Sequence, residues 1–158
     1  TFVRDSPARV ETRLGDARIL LEQERERFGP EGFDLFVVDA FYGDSPPIHL
    51  LNHEAIALYF DHLKKGGLLA IHASNRYLNM VPVIRTIAKK LNKEAFLVYD
   101  KVAGPATLIY NDSTWMILTD NHSAESSPIL AAYHTPEILP ADEIYWTDDF
   151  SSTYSILK

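Results

Sequence analysis

Apolar and polar positions alternate along Arg9-Val10-Glu11-Thr12-Arg13-Leu14 with the two-residue period of a half-exposed strand, and the pattern breaks at Gly15-Asp16. Residues 19–28 then bring good helix formers, among them Leu20, Leu21, Glu22 and Glu24, and Gly29-Pro30-Glu31-Gly32 closes that helix. Residues 33–40 are an almost continuous apolar run, bounded by turn residues, that predicts a strand buried in a parallel sheet. Asn52 predicts an N-cap for a helix over 53–63, which Lys64-Lys65-Gly66-Gly67 should stop. Residues 68–73 predict a further buried strand, and 81–91 a helix with Val83, Ile84, Ile87, Ala88 and Leu91 on one face and Pro82 in its first turn. Two closing strands are predicted over 94–101 and 114–120, separated by a hairpin-like excursion carrying Gly104-Pro105 and Asn111-Asp112. Strand-helix alternation ending in two nearly adjacent strands predicts an α/β fold with a doubly wound sheet, mostly parallel, with an antiparallel C-terminal strand.

Composition narrows the picture. The chain's 158 residues suit one domain with a real core, and no internal repeat or low-complexity tract divides it. A net charge of -7 without any compensating basic run disfavours a nucleic-acid partner. The absence of cysteine removes disulfides and thiolate metal sites. No apolar stretch approaches the roughly 20 residues that span a bilayer, and residues 1–10 lack the basic-then-apolar order of a signal peptide.

The candidate chemistry begins with Asp39. It ends an apolar run, and ligands of open α/β sheets bind just beyond the carboxyl ends of parallel strands. The plainer alternative is that Asp39 only caps the strand or its turn. Asp16, ahead of a helix, carries the same ambiguity between ligand contact and N-cap. His49 and His53 are spaced for a zinc pair on one helical face, but a helix beginning near Asn52 leaves His49 outside it, so no metal site is expected. His72 reads as a buried, hydrogen-bonded group at a pocket rim, with Asn75 the better substrate contact. Tyr59, Phe60, Phe96 and Tyr99 are expected in the core, Trp146 as an anchor for the tail, and Asp148-Asp149 as a cap of the final turn.

An ordered set of motifs adds to this reading: Arg13-Leu14-Gly15-Asp16-Ala17-Arg18, Val37-Val38-Asp39-Ala40-Phe41, His49-Leu50-Leu51, Gly66-Gly67-Leu68-Leu69-Ala70-Ile71-His72 through Asn75-Arg76-Tyr77-Leu78, and Trp146-Thr147-Asp148-Asp149. Together they resemble the spermidine-synthase-like domain, in particular the version fused behind a membrane-embedded, transporter-like region. The resemblance implies a Rossmann-like class I methyltransferase fold that uses S-adenosylmethionine or its decarboxylated form. It implies that Gly15, Asp16 and Ala17 meet the adenine of that cofactor, and that Asp39 takes a proton from an attacking small amine. Tyr42, Asp44 and Asn75 would contact the substrate. The interval from Asp39 to Asp44 departs from the Asp-x-x-Asp of spermidine synthases, which weakens the case for a polyamine.

The seven glycines form no Gly-x-Gly-x-x-Gly loop, so the resemblance covers only the C-terminal portion of such a domain. That portion by itself is expected to be inactive and to hold no bound cofactor. Two functions follow as expectations. One is an aminopropyl- or methyltransferase domain, cytoplasmic, whose parent protein carries a membrane anchor. The other is a non-catalytic ligand-binding or regulatory module of a membrane protein. Without the two strands that precede it in the family, the strand at 33–40 is expected to keep an open edge. That edge would either recruit residues 9–14 as a neighbour or pair in a homo-oligomer.

Overall fold

The computed structural model describes residues 4–40, 47–101, 112–135 and 143–158. Helix α1 (Ala17–Phe28) leads to strand β1 (Phe33–Val38), a 3₁₀ turn at Ile48–Leu50, and helix α2 (His53–Asp61). Strand β2 (Leu63–His72), helix α3 (Val81–Lys90) and strands β3 (Glu94–Asp100) and β4 (Ser113–Thr119) follow. The short helix α4 (Pro128–Tyr133) precedes the C-terminal tail. The excursion expected between the two closing strands lies almost wholly outside the described residues.

The strands form one open four-stranded sheet in the order β1-β2-β4-β3. The fold is therefore α/β, but the expectation of a mostly parallel sheet is corrected. Only β1 and β2 are parallel neighbours, because β4 inserts between β2 and β3 and pairs antiparallel with both. The core lies on one face of this sheet. Val38 of β1, Leu69 and Ile71 of β2, and Met116 and Leu118 of β4 meet Ile56 and Tyr59 of α2 and Ile84 and Ile87 of α3. Phe36 joins them by stacking on Tyr59 at 4.8 Å between ring centroids.

The expected strand at 9–14 does not form. Those residues are exposed and pair with nothing among the described strands, because an alternating pattern makes a strand only where a neighbour supplies hydrogen bonds. They do not lie beside β1 either, so β1 remains at the edge of the sheet. The expectation that 33–40 is buried is corrected in the same way. The strand is shorter, and Leu35 and Val37, on the face away from α2, are 55% and 50% exposed.

Helix starts are set locally, as their sequences suggest. The Asn52 side chain accepts from Ala55 N at 3.0 Å, and Pro82 occupies the first turn of α3, where its missing N–H costs little. Lys64 to Gly67 do not merely stop α2 but already belong to β2, which shifts register against β1 between Phe33 and Leu35. Gly67 is required there: a Cβ would stand 2.9 Å from the Lys64 carbonyl oxygen. Trp146 is fully buried in the core cluster and anchors the tail, and its carbonyl accepts from His53 N at 3.0 Å. Tyr99, expected in the core, is 44% exposed at the end of β3 and donates instead to Asp112. Among the described residues no helix is long and apolar enough to cross a membrane.

Candidate functional site

The parallel register decides what stands at the carboxyl edge of the sheet. Val38 is paired with Ile71, so the next residue of each strand, Asp39 and His72, emerges at the same level. Their side chains meet, with His72 Nδ1 2.7 Å from Asp39 Oδ1. His72 Nε2 lies 2.8 Å from Ser74 Oγ, which in turn accepts from Thr114 N at 2.7 Å. The imidazole also stacks on Trp115 of β4, its cross-strand partner, at 4.7 Å and 16° between planes. Three hydrogen bonds and one ring stack thus link the ends of β1, β2 and β4. Yet the Asp39 carboxylate itself stays 55% exposed, against 23% for the imidazole.

A second cluster sits at the start of α1. That helix ends four residues before β1 begins, and α2 starts after β1 and ends where the His62 carbonyl accepts from Phe33 N, so both helices run back against the strands. Their N-termini, with Asp16 and Asn52, therefore lie toward the same carboxyl edge as Asp39. Gly15, at a φ of 150° that favours glycine, turns the chain into the helix, and Ala17 is its first residue. Asp16 Oδ1 caps the helix by accepting from Arg18 N at 3.0 Å and Ile19 N at 3.1 Å, while Oδ2 meets His49 Nε2 at 2.9 Å. The bond from Ile19 N holds its carboxyl below the usual carboxylate range, with partial burial opposing and His49 reinforcing.

Asp16 is thus both helix cap and hydrogen-bond partner of His49. An adenine amine could reach it only by sharing Oδ2 with His49. Arg18, from the same first turn, donates two 2.6 Å hydrogen bonds to Asp148 and a longer one of 3.2 Å to the His49 carbonyl. Asn52 Nδ2 donates to the same Asp148 at 2.6 Å. Asp148 therefore does not cap the final turn, as its sequence context suggests. It ties the tail to α1 and α2, and its carboxyl is held low chiefly by the Arg18 bonds.

Of the other sequence candidates, Asn75 uses its side-chain oxygen to accept from Tyr77 N and Leu78 N at 2.9 and 2.8 Å, a turn-forming role. Tyr42 and Asp44 lie outside the described residues. His49 belongs to the 3₁₀ turn and His53 opens α2, and among the described residues no cluster of three or more His, Asp or Glu is arranged to hold a metal. Sequence reasoning missed Ser74 and Arg18 as members of these clusters. The signal for Ser74 was its place two residues after His72 beyond a strand end; for Arg18 there was none, since its partner is 130 positions away.

A cavity of about 680 Å³ lies at the opposite end of the sheet, lined in part by Arg85, Lys93, Glu94, Phe96 and His134. No residue of the carboxyl-edge clusters borders it. A scan against protein-family models gives no match, and a search of curated proteins returns no significant relative.

Proposed function

We propose that the carboxyl edge is the amine-handling part of a spermidine-synthase-like transferase domain, in which Asp39 takes the proton of an attacking small amine. The observation that carries this is an exposed carboxylate, fixed by hydrogen bonding at the carboxyl end of a parallel strand pair. A base must be both reachable and held in place to accept a proton in the transition state, and Asp39 satisfies both conditions. The finer lineage, a Rossmann-like class I fold using S-adenosylmethionine or its decarboxylated form, rests on the motif resemblance alone. The glycine-rich cofactor loop of such a fold is not in this sequence, so polypeptide outside these residues would have to supply it. The setting we infer is the cytoplasmic side of a membrane-anchored parent protein.

A second reading is favoured by Asp16. Its oxygens already cap α1 and pair with His49, so the adenine contact that the resemblance implies is occupied by the protein itself. A non-catalytic ligand-binding or regulatory module would keep the fold and lose this contact. Calorimetry and radiolabel transfer on the full-length protein, with S-adenosylmethionine and decarboxylated S-adenosylmethionine and a panel of small amines, separate the two. Cofactor binding with turnover supports the transferase; a protein that neither binds nor turns over either cofactor supports the regulatory module.

A further inference from the structure

The direction of every hydrogen bond around Asp39 follows from donor and acceptor chemistry. An ionised carboxylate only accepts, so His72 Nδ1 must carry the proton that points at Asp39 Oδ1. In the neutral ring Nε2 is then an acceptor, and the hydroxyl of Ser74 must donate to it. The Ser74 oxygen, its single hydrogen committed, accepts from Thr114 N. The chain runs one way: Thr114 N–H to Ser74, Ser74 O–H to Nε2, and Nδ1–H to Asp39. The stack on Trp115 fixes the ring plane independently.

We propose that His72 is a positioning residue that acts through Asp39, and that Ser74 holds the imidazole at Nε2 in the orientation that lets it do so. What Asp39 does rests on the transferase reading above; how Asp39 is held does not. With Oδ1 taken by His72, Oδ2 is the oxygen left without a partner among the described residues, and it belongs to a carboxylate more than half exposed. An amine proton that arrives at Oδ2 leaves Oδ1 still accepting from the ring, so no group has to reorient during the transfer. Such preorganisation acts on the chemical step more than on amine binding. The opposite tautomer would turn the Nδ1 lone pair toward the carboxylate and release it. The Asp39 carboxylate, which can only accept, excludes that tautomer, while the Ser74 hydroxyl, with one donor and two acceptor sites, holds Nε2 in place.

Two measurements test the proposal. Ring ¹⁵N spectra of His72 in the full-length protein should show Nδ1 protonated, and Asp39→Ala should give a mixture of the two tautomers. A ring whose Nδ1 carries no proton in the wild type, or a ring unchanged by Asp39→Ala, overturns the assignment whether or not the protein is an enzyme. In the transfer assay His72→Ala should lower kcat by roughly 10–100-fold with little change in the KM of the amine. His72→Asn, whose amide N–H falls near the position of Nδ1, should recover most of that loss. Equal losses in the Ala and Asn variants, or an effect on KM alone, would overturn positioning through Asp39. A wild type that turns over no amine removes the transferase reading alone, because the ring spectra still decide whether the tautomer is locked.

Discussion

Arg18 and Asp148, 130 residues apart in sequence, face each other through two hydrogen bonds of 2.6 Å. The guanidinium is only 15% exposed, whereas the carboxylate is 45% exposed. Because Asn52 donates to the same carboxylate, one side chain of the tail joins the starts of α1 and α2. The bidentate geometry makes this a strong type of surface ion pair, strong enough to outweigh the desolvation of Arg18 that opposes it.

Asp148→Asn should therefore lower stability by about 1 kcal/mol at neutral pH, a charge-assisted hydrogen-bond value discounted for the exposure of the carboxylate. The sign with pH follows from its depressed titration. A carboxyl whose folded value lies below its unfolded one stabilises fully above the unfolded value, near ~3.9, and loses that contribution as pH falls through the folded value. Urea unfolding at pH 7 and at progressively acid pH should show the gap between wild type and variant constant at first and closing below about pH 4. A gap that widens on acidification would be the wrong sign and would remove the ion pair as its cause.

Trp146 is fully buried, and its Nε1 has no hydrogen-bond partner among the described residues. Trp146→Ala should cost about 3–5 kcal/mol by leaving a large cavity. Trp146→Phe keeps much of the apolar volume and removes the unpaired N–H, so its cost should be less than half as large. Equilibrium denaturation of both variants checks the ordering.

Gly67→Ala should destabilise by about 1–3 kcal/mol, because its Cβ would meet the Lys64 and Phe33 carbonyl oxygens at 2.9 and 3.2 Å, and backbone does not yield as a side chain does. Gly66→Ala meets nothing within 4 Å and costs only the strain of a φ of 78°, about 1 kcal/mol. Melting temperatures of the two should fall in that order.

On the transferase reading proposed above, Asp39→Asn in the full-length protein should reduce amine transfer by roughly 10²–10⁴-fold while leaving cofactor affinity nearly unchanged. Unaltered turnover would exclude Asp39 as the base.

The outer edge of β1 has no partner strand among the described residues, and Leu35 and Val37 are exposed beside it. Such an edge is a template for pairing, and we expect the isolated chain to self-associate through it. Sedimentation velocity should show an oligomer for the wild type and a monomer for Val37→Lys, where a charge on the strand blocks pairing. A wild type that stays monomeric at high concentration would refute this.

The elements that the sequence determined by itself are those whose causes are local. Asp16 and Asn52 accept from backbone N–H groups two or three residues away, the periodic face of 81–91 makes α3, and the β-rich runs at 94–101 and 114–120 make β3 and β4. Each can be read from a few neighbouring positions. What only the tertiary structure decided are relations between distant segments. The same alternating pattern gives no strand at 9–14, because no neighbour among the described residues supplies hydrogen bonds, and Leu35 and Val37 of β1 are exposed because the core helices pack on the other face. Asp39 was legible as a strand-end carboxylate, but its partnership with His72 depends on the register of β1 against β2, and that of Ser74 on the approach of Thr114 from β4. Asp148, read as a cap, became the partner of Arg18 once the buried Trp146 carried the tail across α2. Capping and periodicity act over a turn or two of chain. Register, strand order and long-range ion pairs depend on which distant segments the core brings together, and no single stretch of sequence carries that information.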